Sequence, residues 1–361
     1  TSITESISDE AKKVMVIFND DHVLIDVIAK VGQESAVLSF LTSEGMTGFI
    51  SNGTNNLIIT GKFPIARLLN LNSRSDIINF VRPVYVPVSN SGLIRNAGDT
   101  AIGTQLVRNG YDLQGTGVKI GVLSDSYNSQ VTSTSNPANL DISTADLPGA
   151  GNPVNGTPTQ VLLEYPYGAR SDEGRAMLQI IHDIAPKAEL AFRTGFISPG
   201  DFAVGIKQMQ EAGCKVIVDD ITYVNEPFLQ DGPVASAVDL VKSLGVSYFT
   251  SAGNFSNKSH EQNYRPVAAP AGFASGTTAH DFSGSGHVYQ RIRLNPGSYT
   301  IALQWQDDIY SIGQTQAGGT KNDFDIYLTD MSGNIICGYN RINTNGDPFE
   351  FLAYTVSKNV K

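Results

Sequence analysis

Four short stretches carry the residues that could do chemistry. Ser124-Asp125-Ser126 follows the apolar run Gly117–Leu123, Asp219-Asp220 follows Val216-Ile217-Val218, and Ser251-Ala252-Gly253-Asn254 follows Val246–Thr250. Asp172-Glu173 opens a helical pattern, directly after a polar stretch over 128–170. A carboxylate at a strand end serves either proton transfer or an Asx-turn. Acids at a helix start complement the dipole and cap free N–H groups, yet a helix start after a long loop can also present a reactive group. The amide of Asn254 could donate to a developing oxyanion, a role worth a few kcal/mol in acyl transfer. The Asp219-Asp220 pair could ligate a cation together with carbonyl oxygens, or shape a binding cleft. His182, beside Ile181 and Ile184, reads as a satisfied structural histidine.

These residues need elements to position them. Residues 93–267 alternate strand-like and helix-like runs. Strands are expected at Gly117–Leu123, Ala188–Phe192, Val216–Val218 and Val246–Thr250, and helices at Ile102–Arg108, Glu173–Ile184, Asp201–Ala212 and Pro233–Leu244. Gly213 and Gly245 stand where a left-handed residue ends a helix. Buried strands separated by helices mean crossovers and a parallel sheet, whose chemistry lies at the carboxyl ends of strands. Residues 1–92 mix strands (Val14–Phe18, a hairpin around Asn52-Gly53, an edge strand over Ile77–Val88) with helices at Leu24–Val31 and Pro64–Leu71. That implies a small α+β unit. Residues 268–361 lack helical spacing and carry alternating runs at Tyr289–Leu294, Tyr299–Trp305, Phe324–Leu328 and Ile335–Tyr339. A β-sandwich of seven or eight strands is expected there.

Composition narrows the function classes. The net charge of −10 disfavours nucleic acid and anionic membrane surfaces as partners. No run reaches the roughly 18 apolar residues of a membrane span. Two cysteines make no disulfide framework, and Cys214 and Cys337 read as small core residues. No signal peptide is visible in Thr1–Glu10. The strand end after Leu123 has no Gly-x-Gly-x-x-Gly opening a helix, which argues against a dinucleotide enzyme.

In chain order, Gly115–Asp125, a helix running into Ala185-Pro186-Lys187-Ala188-Glu189-Leu190, and Ala252-Gly253-Asn254 resemble the subtilase family of serine peptidases, including its sedolisin branch. The resemblance implies a subtilisin-like parallel sheet with helices on both faces, a propeptide-like inhibitor and chaperone in residues 1–92, and a jelly-roll insertion in 268–361. It implies Asp125 as triad aspartate, Asn254 as oxyanion-hole asparagine, and Asp219, Asp220 and Thr222 on the strand lining the substrate cleft. Subtilisins carry His-Gly-Thr-His where this sequence has Asp172-Glu173-Gly174-Arg175. Sedolisins use a glutamate there, which makes Glu173 the expected base. The sedolisin partner aspartate is replaced by Met177, which leaves Asp125 as the expected partner. Coupling two carboxylates would lift one from its ordinary value of about 4.3 into general-base range.

The family's Gly-Thr-Ser motif is missing, and Gly276-Thr277-Thr278-Ala279 is the nearest string. The nucleophile is therefore expected beyond Lys361, in a secreted, periplasmic or surface peptidase acting on polypeptides, with residues 1–92 as an intramolecular partner. The 361 residues alone would be inactive. The alternative is an inactive relative serving in binding or adhesion. Calcium is the one cofactor in view, through Asp219-Asp220 or through Asp323, Asp325, Asp330 and Asp347, with turn acids as the plainer account of the latter.

Overall fold

The computed structural model describes residues 15–19, 21–51, 57–84, 88–89, 98–311 and 318–357. The turn expected at Asn52-Gly53 lies outside them. The chain divides into two units, Thr1–Ser251 with Thr300–Leu352, and Ala252–Tyr299 with Ala353–Lys361.

The first unit opens with an antiparallel sheet. Its strands are β1 (Ile17–Phe18), β2 (His22–Ala29), β3 (Thr47–Ser51), β4 (Ile58–Pro64) and β5 (Ile78–Pro83), ordered β1-β2-β4-β3 with β5 also on β2. The helix expected over 24–31 is corrected: that run is the central strand β2. Six apolar residues in a run of eight satisfy either period, and here flanking strands on both edges decide for the β form. The helix α1 falls later, at Glu34–Ser43, burying Val37 and Leu41 four residues apart. A 3-10 helix at Ile65–Arg74 begins just after Pro64. Asp26, in mid-strand, is fully buried, and it accepts from the Thr60 hydroxyl (2.7 Å) and from Arg82 (3.2 Å) on the two neighbouring strands.

The short strand β6 (Val88–Ser89) and the helices α2 (Gly98–Ile102) and α3 (Thr104–Tyr111) lead into a parallel sheet. Along the chain come β7 (Lys119–Ser124), α4 (Pro137–Ser143), β8 (Gln160–Leu163), α5 (Glu173–Ile184), β9 (Glu189–Thr194), α6 (Pro199–Glu211), β10 (Val216–Asp219), β11 (Ile221–Thr222), α7 (Pro233–Ser243) and β12 (Ser247–Thr250). The strand order is β12-β10-β7-β9-β8, all parallel. Local chemistry sets the helix ends. Pro137, Pro199 and Pro233 open three helices, and the Ser198 hydroxyl accepts the Asp201 N–H. Leu123, Ala191 and Ile217 pack under Phe202, Ile206 and Met209 of α6 on one face of the sheet. Val122, Leu190 and Phe192 pack under Leu178 of α5 on the other. The expected helices and parallel strands of this zone are present; α4 and β8, inside the polar stretch 128–170, were not foreseeable from its composition.

The remaining strands form two-stranded ladders: β13 (Pro266–Ala268) with β14 (Thr278–His280), β15 (Gly297–Gln304) with β18 (Phe349–Val356), and β16 (Ile326–Thr329) with β17 (Ile335–Tyr339). This corrects the single seven- or eight-stranded sandwich. Among the described residues the expected strand Tyr289–Leu294 has no ladder partner, and its Tyr289 and Ile292 remain exposed.

Candidate active site

The ends of β7 and β10 lie side by side, because Asp219 is in register with Leu123. Ser124, Asp125, Asp219 and Asp220 therefore gather at one carboxyl edge of the sheet. The start of α5 docks against that edge. Asp172, before its first turn, has a left-handed backbone (φ +57°), an arrangement costing about 1–3 kcal/mol that its surroundings must hold. Its buried side chain accepts from Ser126 Oγ (2.8 Å), Ser129 N (2.8 Å), Ser129 Oγ (2.7 Å) and Arg175 (2.7 Å). Burial alone would raise its proton affinity, but these donors outweigh it and the carboxyl lies below its ordinary value.

Asp125, 2% exposed, supplies the helix cap that Asp172 does not. Its Oδ1 accepts the Glu173 backbone N–H at 2.9 Å, and its Oδ2 accepts Ser171 N at 2.9 Å and Ser171 Oγ at 2.5 Å. Gly174 permits this close approach, since a Cβ there would collide with the Phe192 ring and the Ser126 carbonyl.

The Glu173 side chain turns to other partners. Ser124 Oγ donates to its Oε2 at 3.2 Å, and its carboxyl hydrogen-bonds that of Asp220. Burial, then the charge of Asp220, and more weakly that of Asp125, push Glu173 up to about 7 against the pull of the Ser124 hydroxyl. A carboxylic acid near neutrality, paired with a second carboxyl, can take up and release a proton at ordinary pH.

The sequence-derived candidates thus part company. Asp125, Glu173 and Asp220 share one locality, with Asp125 touching Glu173 through its backbone and Asp220 through its carboxyl. Asp219 faces the next strand, where Thr250 Oγ1 donates to it at 2.8 Å, and burial lifts it to about 6. Thr222 acts through its main chain: β11 pairs antiparallel with β6, Thr222 opposite Val88 and Ile221 opposite Ser89. Asn254 belongs to the second unit, where it is exposed beside Gly253 (φ +69°). His182 is buried and its Nε2 meets the Asn152 amide at 3.1 Å. Among the described residues no three His, Cys, Asp or Glu side chains form a group able to hold a metal ion. The parts unforeseen are Ser124 as holder of the base, Asp172 as anchor of the helix start, and Asp220 as its partner carboxyl. The Ser-Asp-Ser string and the Asp172–Arg175 spacing of three were the available signals.

No family model matches the sequence, and no curated protein matches it. Among solved structures it is similar to the epidermin leader peptide processing serine protease EpiP from Staphylococcus aureus, at 12% identity and a TM-score of 0.38 over 65% of this chain and 60% of that one. It is likewise similar to the S393A mutant of EpiP, at 12% identity and a TM-score of 0.42 over 65% and 61%. The chain thus spans less than two thirds of either protein. These findings correct the subtilase assignment, since no family model supports it and the neighbours name no such family. The motifs behind it are short, and a glycine-flanked strand ending in Asp, or Ala-Pro after a helix, is within reach of any parallel α/β sheet.

Proposed function

We propose that the chain is part of a hydrolase of peptide bonds in which Glu173 is the general base. The observation that carries this reading is the Glu173 carboxyl, held at about 7 between Ser124 and Asp220 at the carboxyl edge of the sheet. Ionised Glu173 takes the proton of an attacking hydroxyl and returns it to the leaving amine. Asp220 keeps the proton affinity high enough for both steps. Asp125 fixes the first turn of α5 by accepting the Glu173 N–H. Ser124 is fully buried and donates to Glu173, so it holds the base and is not the attacking hydroxyl. The substrate is an extended polypeptide added to β11 through main-chain hydrogen bonds. The chain's own Val88–Ser89 lies in that place, which supports residues 1–92 as an intramolecular inhibitor.

Casein hydrolysis and fluorophosphonate labelling, followed from about pH 3 to 9, test the reading on the full-length protein beside the 361-residue chain. Cleavage and labelling by the full-length form, both lost in Glu173→Gln, are expected. A full-length protein that cleaves nothing, or a Glu173→Gln variant with undiminished rate, overturns it.

A further inference from the structure

The acids of residues 307–350 fall into two groups. Most have donors of their own. Asp307 Oδ2 accepts from Thr320, Lys321 and Asn322, Asp330 accepts from its own turn at Ser332 and Asn334, Asp347 accepts from Ser311, and Asp323 accepts from Asn343 N at 2.8 Å. Glu350 differs: it is 0% exposed, on β18, and among the described residues neither carboxyl oxygen has a donor in hydrogen-bond geometry. The Oδ1 of Asn343 is also buried and without a donor. Its orientation is set, because Asn343 Nδ2 donates to the carbonyls of Asp347 and Phe349, both at 3.1 Å. Three acceptor oxygens are thus buried with no donor among the described residues, a costly arrangement unless something positive completes it. Asp325 is exposed, and its charge acts on Glu350.

We propose that Glu350, Asn343 and Asp325 form a binding site for a hard divalent cation of the calcium class. Calcium takes six to eight oxygens and accepts a bidentate carboxylate, so Glu350 supplies two, the Asn343 amide one, Asp325 the rim, and water the rest. Magnesium demands a stricter octahedron and suits this set less well. The electrostatics agree: burial, then Asp325 and Asp323, push the Glu350 carboxyl up to about 8, while the nearby Arg341 N–H and Asn343 amide soften the shift without reaching hydrogen-bond geometry. A cation would neutralise that repulsion. The site lies apart from Glu173 in sequence and chemistry and is independent of the peptidase reading.

Calorimetric titration of CaCl2 up to about 10 mM into chelator-stripped protein, with MgCl2 as comparison, tests it. One calcium site is expected, weakened at least about tenfold in Asp325→Asn and abolished in Glu350→Gln. Calcium should also raise the melting temperature of the parent and not of Glu350→Gln. If Glu350→Gln fails to fold, the exposed Asp325→Asn decides. No calcium binding by the parent overturns the proposal, as does binding of full strength in the variants that fold. A Glu350→Gln protein that is simply more stable in calcium-free buffer, with a parent indifferent to calcium, would identify Glu350 as a neutral buried acid.

Discussion

The Oδ1 of Asp125 accepts the backbone N–H of Glu173 at 2.9 Å, which ties the end of β7 to the first turn of α5. One acid thereby serves the main chain and frees the side chain of the other to meet Ser124 and Asp220. This division of labour explains why two acids 48 residues apart work together without their carboxyls pairing. The following outcomes are expected from it.

Asp125→Asn replaces an acceptor of several N–H and O–H donors by a group with two donors of its own. One face of the amide must then meet the Ser171 or Glu173 donors head-on. A loss of about 1–3 kcal/mol is expected in denaturant unfolding. The Glu173-dependent rate should fall as the helix start loosens.

Glu173→Gln removes the base and leaves the shape. Hydrolysis by the full-length protein should drop about 10²–10⁴-fold, with folding retained by circular dichroism. The parent rate should rise with pH through about 7, as Glu173 ionises.

Ser124 and Asp220 act on Glu173 in opposite senses, so their variants should move that pH limb in opposite directions. Asp220→Asn removes the charge that raises Glu173 and shifts the limb to lower pH. Ser124→Ala removes the hydrogen bond that lowers it and shifts the limb to higher pH. Parallel shifts, or none, would reassign both residues to purely structural roles.

Glu173 and Glu226 are raised to about 7 and Asp219 to about 6, each chiefly by burial. Groups with raised native values bind protons more tightly when folded. Their stabilising effect is full below the unfolded values near 4 and is lost as pH rises through about 6 to 7. Scanning calorimetry should therefore give a higher melting temperature at pH 5 than at pH 8. A flat or rising trend would mean these acids are not held as described.

Arg82→Met strands Asp26, which is fully buried with Arg82 as its ionic partner. A loss of about 3–5 kcal/mol is expected, largely recovered when Asp26→Leu is added, because the unpaired charge is then gone too. Urea unfolding of the two variants measures this.

Much of the scaffold is legible in the residues. The helix Glu173–Ile184 and the parallel strands of the middle zone follow from period, proline at helix starts and glycine at helix ends, all of them local effects. The strand His22–Ala29 escapes because a run so rich in apolar residues satisfies two periods, and only its neighbours choose. The ladders after residue 260 escape because alternation names a strand without naming its partner. Glu173 stands out in the sequence as an acid opening a helix after a long polar stretch.

What the sequence determines by itself is therefore most of the strands and helices of the middle zone and the acids at their ends. What only the tertiary structure decides is which acid meets which. Asp220 becomes the carboxyl partner of Glu173, Asp125 becomes a helix cap, and Glu350 becomes a buried carboxylate with no donor among the described residues. Strand order and burial set these meetings, and both depend on residues scores of positions apart. A proton's affinity for a carboxyl depends on the charges and donors within a few ångströms, so neither spacing nor residue type along the chain contains it.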